Sequence, residues 1–188
     1  MTKVNKWFVT SALLMLSACH GPYRQPPSEP SQKEARMSVV NTVTIAGAPE
    51  AVFDLVTTAK LWPQWHPATQ AVGGVTERPY GLNDLIHERG RIGNQDFETT
   101  WKVAEHARPS RVVLQSQNSP TRIIYSFQRR DGATIFTRRL EYRLESVGAV
   151  ATTATAAEQL MRTQSQQAVN QLKALVEKIL AGKTSELK

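Results

Sequence analysis

The residues best placed to do chemistry are an arginine and a glutamate that fall on otherwise apolar strand faces. Side chains alternate across a β-strand. In Thr134–Glu145 the alternation groups Phe136, Arg138, Leu140, Tyr142 and Leu144 on one face, and Ile135, Thr137, Arg139, Glu141, Arg143 and Glu145 on the other. The first face is apolar and should look inward, except for Arg138. A buried guanidinium without a partner is costly, so Arg138 needs a carboxylate, a cluster of carbonyls, water or an anionic ligand. It is either an anchor for a ligand's carboxylate or phosphate, or part of an internal ion pair, or a strand-end residue reaching solvent. In Asp84–Ile92 the two faces are Leu85/His87/Arg89/Arg91 and Ile86/Glu88/Gly90/Ile92. The second is the more apolar, which points Glu88 inward and offers it as a partner for Arg138.

Aromatic residues fall on neighbouring faces. Trp101 shares one with Phe97, Thr99 and Val103, and Tyr125 shares one with Ile123 and Phe127. A wall of Trp101, Tyr125 and Tyr142 combines flat apolar surfaces with polar tips, as ligand pockets do. Ordinary core packing is the plain alternative. His66, His87 and Glu88 are the candidates for acid/base work, since no spacing reveals their protonation behaviour. The four histidines, His20, His66, His87 and His106, pair neither at helical spacing nor with cysteine, so no metal site is legible. No nucleophile elbow, phosphate loop or dinucleotide fingerprint is present, and no cofactor is implied.

The elements that must position these residues follow from periodicity and turn chemistry. Strands are expected over Ser38–Ala46, Thr69–Thr76, Asp84–Ile92, Gln95–His106, Arg111–Gln117, Arg122–Arg129 and Thr134–Glu145. Gly93-Asn94 and Asp131-Gly132 lie between neighbouring runs, where two-residue hairpins need positive φ. Pro49 and Glu50 start a helix with Val52, Phe53 and Val56 on one face. A second short helix near Ala59–Trp62 is stopped by Pro63. A long helix over Ala156–Ala181 opens on a capping box, Thr155 with Glu158, and ends at Gly182. Its apolar stripe of Leu160, Met161, Ala168, Val169, Leu172, Leu175, Val176, Ile179 and Leu180 must bury against the sheet.

The order of elements, the opening Thr44-Ile45-Ala46-Gly47-Ala48-Pro49-Glu50-Ala51-Val52-Phe53 and the segment Leu61-Trp62-Pro63-Gln64-Trp65-His66-Pro67 resemble the START-like (SRPBCC) superfamily. That superfamily includes polyketide cyclase/dehydrase-like and Bet v 1 proteins. The resemblance implies an α+β helix-grip fold: a curved antiparallel sheet of about seven strands around a long C-terminal helix, with two short helices after strand 1. It implies a cavity between sheet and helix for lipids, sterols, hormones or polyketides. It also sets Trp62, Trp65 and His66 beside the cavity mouth, where the tryptophans gate the pocket, dip into lipid or plug the end of the core. Catalytic residues differ between subfamilies, so none is carried over.

The N-terminus points elsewhere. Lys3 and Lys6 precede the apolar run Trp7–Leu16, which is too short to span a bilayer. Leu16-Ser17-Ala18-Cys19 then resembles the lipobox of bacterial lipoproteins, with Cys19, the only cysteine, as the lipidated residue. The resemblance implies cleavage before Cys19 and a lipid anchor on the periplasmic side of the envelope, with the outer membrane favoured by His20. Several acyl chains hold a domain stably where one does not. The expected organisation is a signal peptide over 1–18, a proline-rich tether over 19–37, a START-like domain over 38–182 and a tail over 183–188. The formal charge of +7 falls to +5 once Lys3 and Lys6 leave with the signal (7 − 2). A basic exported protein can lean on anionic lipid head groups or lipopolysaccharide; here the excess is dispersed, with no run of five basic residues, which reads as a solvated surface and argues against nucleic acid as a partner.

Three functions compete. The leading one is a non-enzymatic module that binds or carries a small hydrophobic or amphipathic ligand at the membrane to which Cys19 is anchored. The second is a cyclase/dehydratase-type enzyme in the same cavity, whose mark would be a polar pair deep in the pocket. The third is an envelope interaction protein with a filled core. Oligomeric state is not legible.

Overall fold

The computed structural model describes residues 36–144 and 153–186. Seven strands form one antiparallel sheet: β1 (Arg36–Ile45), β2 (Thr69–Gly74), β3 (Leu85–Ile92), β4 (Gln95–Ala107), β5 (Arg111–Ser116), β6 (Arg122–Arg130) and β7 (Ala133–Arg143). Their spatial order is β1-β7-β6-β5-β4-β3-β2, a meander with β1 added beside β7. Between β1 and β2 lie α1 (Pro49–Val56) and a 3₁₀ turn, Ala59–Leu61, that runs into the one-turn helix α2 (Trp62–Trp65). The chain closes with α3 (Ala154–Glu186). This is the α+β helix-grip architecture.

Turn residues meet their expected geometry. Asp131 and Gly132 both take positive φ, 50° and 76°, between β6 and β7, and Gly93 takes 58° between β3 and β4. Gly90 on β3 is required for another reason. A Cβ there would run into the Ala68 carbonyl oxygen, to which Arg91 N–H donates at 2.7 Å where β2 begins. The alternation of β7 is as read: Phe136, Arg138, Leu140 and Tyr142 are buried, and Arg139 is exposed. Glu88 points inward with Ile86 and Gly90.

Several boundaries differ. β1 begins at Arg36, two residues inside the segment assigned to the tether, because Arg36 and Met37 pair with Arg143 and Tyr142. Pro63 does not stop the second short helix. It occupies its first turn, where a missing N–H costs nothing. The cap of α3 is Thr153, whose Oγ1 accepts from Ala156 N–H at 3.1 Å, so Thr155 and Glu158 form no capping box. Glu158 instead pairs with Arg162 one turn on. Gly182 does not end α3, which continues through residues 183–186, read as tail, to Glu186. The segment read as a signal peptide, Cys19 and most of the segment read as a tether lie outside the described residues. Among the described residues no helix is long and apolar enough to cross a membrane.

One half of the interior is solid. Phe53 of α1 packs on Phe127 of β6 at 5.0 Å between ring centroids, and Phe127 on Phe136 of β7 at 5.2 Å. Val52 and Val56 complete the α1 face with no exposure.

Candidate functional site

The other half holds a cavity of about 340 Å³ between the sheet and α3. Ile92, Phe97, Trp101, Ile123, Leu140 and Met161 make most of its apolar wall. The exposed lining residues Glu98 and Asn118 mark its mouth. There the β5–β6 loop is tied to β4: Asn118 Nδ2 donates to the Glu98 carbonyl at 2.9 Å, and Thr99 Oγ1 donates to Asn118 Oδ1 at 2.8 Å.

His66, Glu88, Arg138 and Ser165 form the polar end, joined by a directional chain of hydrogen bonds. Arg138, 2% exposed, donates to Ser165 Oγ of α3 at 2.7 Å and to His66 Nε2 at 3.2 Å. A guanidinium has no acceptor, so His66 Nε2 must accept and the ring proton sits on Nδ1. Nδ1–H then donates to Thr69 Oγ1 at 3.0 Å, and Thr69 O–H donates to Glu88 Oε1. The indole N–H of Trp101 donates to Glu88 Oε2 at 2.7 Å. Arg138 Nε is buried with no hydrogen-bond partner among the described residues.

Burial and the neighbouring Arg138 charge hold the His66 imidazolium at about 3, well below its ordinary 6.5, which keeps the ring neutral. Burial pushes the Glu88 carboxyl up; the Thr69 and Trp101 donors and the Arg138 charge pull against it. Burial also raises the Tyr125 and Tyr142 hydroxyls. The expected Glu88–Arg138 pair is therefore not direct. His66 and Thr69 stand between the two charges, with His66 Nδ1 4.0 Å from Glu88 Oε1. Among the described residues no group of three or more His, Cys, Asp or Glu is placed to hold a metal ion.

The sequence matches the family model described as polyketide cyclase / dehydrase and lipid transport over residues 36–177. The chain belongs to this family. Solved structures share the fold at low identity. A START superfamily protein from Mycobacterium smegmatis has a TM-score of 0.61 at 16% identity, covering 76% of this chain and 98% of its own. The Zhui aromatase/cyclase from a Streptomyces species has 0.62 at 13%, covering 78% and 96%. The di-domain ARO/CYC BexL has 0.58 at 18%, covering 77% of this chain and 50% of its own. Comparison with curated protein sequences gives no match.

In this member of the cyclase/dehydrase family, the cavity brings together Trp101, Arg138, Tyr142, His66 and Glu88. Four other candidates lie elsewhere. Trp62 and Trp65 do not border the mouth: they are 4% and 1% exposed, and Trp62 packs edge-on against Tyr80 with centroids 6.0 Å apart. Helix α2 turns both rings into the core, which leaves His66, edge-on to Trp65 at 5.6 Å, at the cavity. Tyr125 is not wall but core: it is 2% exposed and its ring lies tilted against Phe136 with centroids 5.5 Å apart. His87 faces outward beside Thr100 Oγ1 at 3.0 Å, as its strand face requires. Sequence reasoning missed Ser165 and Thr69. Ser165 had a signal: it sits four residues from both Met161 and Val169, a hydroxyl inside the buried stripe of α3. Thr69, at the start of β2, had none.

Proposed function

We propose that this chain is an envelope lipoprotein whose domain binds or carries a small amphipathic ligand, its apolar part along Ile123, Leu140 and Met161 and its polar group at Arg138. The observation that carries this reading is a cavity of about 340 Å³ with apolar walls and one charged end. A ligand hiding ~200 Å² of apolar surface gains ~5 kcal/mol by area, before the costs of association. Native mass spectrometry of the full chain as its Cys19→Ser variant tests it. A discrete co-purifying small molecule supports the reading. A clean apo mass that persists in envelope lipid extract sinks it. Anchoring at Cys19 is tested separately by fatty-acid metabolic labelling of the native chain, with Cys19→Ser unlabelled.

The Glu88–Thr69–His66 relay favours a second reading, an enzyme of cyclase/dehydratase type. Against it, a general base works best with a pKa near the operating pH, and His66 is far below that, with its free lone pair already on Arg138. The binding reading therefore stands first.

A further inference from the structure

Arg138 is a cation without an adjacent counter-ion. None of the ion pairs among the described residues includes it, and its two terminal nitrogens rest on neutral groups, Ser165 and His66. A buried charge needs compensation, and the cavity is the space left for it. Glu88 balances the charge only at a distance, through Thr69 and His66.

We infer that the cavity's ligand carries an ionised acid group seated at Arg138, and that its entry brings one proton onto the Glu88–His66 pair. The inference rests on the binding reading above and names its ligand class. The charge count is direct. The protein's own groups at the polar end are one cation, Arg138, and one carboxylate, Glu88. An anionic head group adds a second negative charge within the same enclosed space, where like charges repel strongly. Taking one proton from solvent restores neutrality. The groups facing Glu88 and Arg138 are few: His66 directly after α2, Thr69 of β2, Thr99 and Trp101 of β4, Tyr125 of β6 and, against Arg138, Ser165 of α3. Glu98, at the exposed mouth, is the other lining carboxylate, and its negative charge adds to the same repulsion. Burial already favours the protonated form of Glu88.

Isothermal titration of the full chain as Cys19→Ser with decanoate, decyl sulfate and decanol, the two acids being monoanions, tests this near pH 7.5. The titrations are run in two phosphate-free buffers of different protonation enthalpy. At least one acid is expected to bind tenfold or more tighter than decanol, with close to one proton taken up per acid and none per alcohol. Arg138→Gln should erase the preference for the acid while decanol still binds, which also shows that the variant folds. Glu88→Gln should bind the acid at least as tightly with no proton uptake. Equal affinity for acid and alcohol in the unsubstituted site overturns the inference and leaves the binding reading intact. So does acid binding without proton uptake, or uptake that survives Glu88→Gln. Binding of none of the three probes tells against the binding reading itself.

Discussion

On β7, Phe136 and Leu140 lie four residues apart on the same inner face, yet Phe136 packs against Phe127 and Tyr125 while Leu140 borders open space. On β6, Phe127 and Ile123 divide in the same way. The strands supply both halves with equal regularity, so the sheet does not make the difference. The packing against it does. Over the solid half, α1 lowers Val52, Phe53 and Val56 onto the sheet. Over the other half, α3 presents Met161 and Ser165, too little volume to reach the opposite wall. The boundary falls at Arg138, whose charge is tolerated because Ser165, His66 and the cavity lie beside it.

The comparison breaks most sharply by truncation. Phe136→Ala is expected to cost about 3–5 kcal/mol in chemical denaturation, whereas Leu140→Ala, already beside a void, should cost about half as much or less. Equal costs would mean that the cavity half is as tightly packed as the other.

Acid sharpens the contrast next. His66 titrates near 6.5 when unfolded and at about 3 when folded, so between these values the unfolded chain holds more protons. Stability should therefore fall as pH drops below about 6.5, by roughly 3 kcal/mol near pH 4.5. Glu88 acts in the opposite sense: its raised folded value stabilises at low pH and is lost as pH rises through it. Denaturation midpoints measured across this range should lose the acid-side decline in His66→Gln.

Filling the space gives a smaller effect on stability and a large one on binding. Leu140→Trp should change stability by under about 1 kcal/mol while removing any co-purifying ligand mass. Phe136→Trp should cost about 1–3 kcal/mol, because no room exists there. The smallest effect belongs to the outer surface. Arg129→Ala, which frees Glu50 from an exposed pair at 2.8 Å, should leave the midpoint of thermal melts essentially unchanged, because solvent and salt screen such a pair.

Much of this was legible from residue order. Period-two alternation turned Arg138 and Glu88 inward, and Asp131-Gly132 marked a hairpin, because both signals depend only on neighbouring residues. Helix ends were misread at Thr153 and Gly182, where several residues compete for one cap and a glycine is tolerated inside a long helix. For Trp62 and Trp65 the residue order left pocket gate and core plug both open, and the structure takes the core position, because a four-residue helix carries no period from which a face can be read.

What the sequence determined by itself is the alternation that faces Glu88, Trp101, Arg138 and Tyr142 inward, and the stripe that lays α3 on the sheet. Both are consequences of local backbone geometry. Only the tertiary structure decided that His66 and Thr69 stand between Arg138 and Glu88, that Ser165 meets them from α3, and that Tyr125 falls in the solid half. Those contacts join segments far apart in the chain. Their existence depends on how far each element stands from the next, a distance set by the volumes packed between them and written in no single stretch of residues.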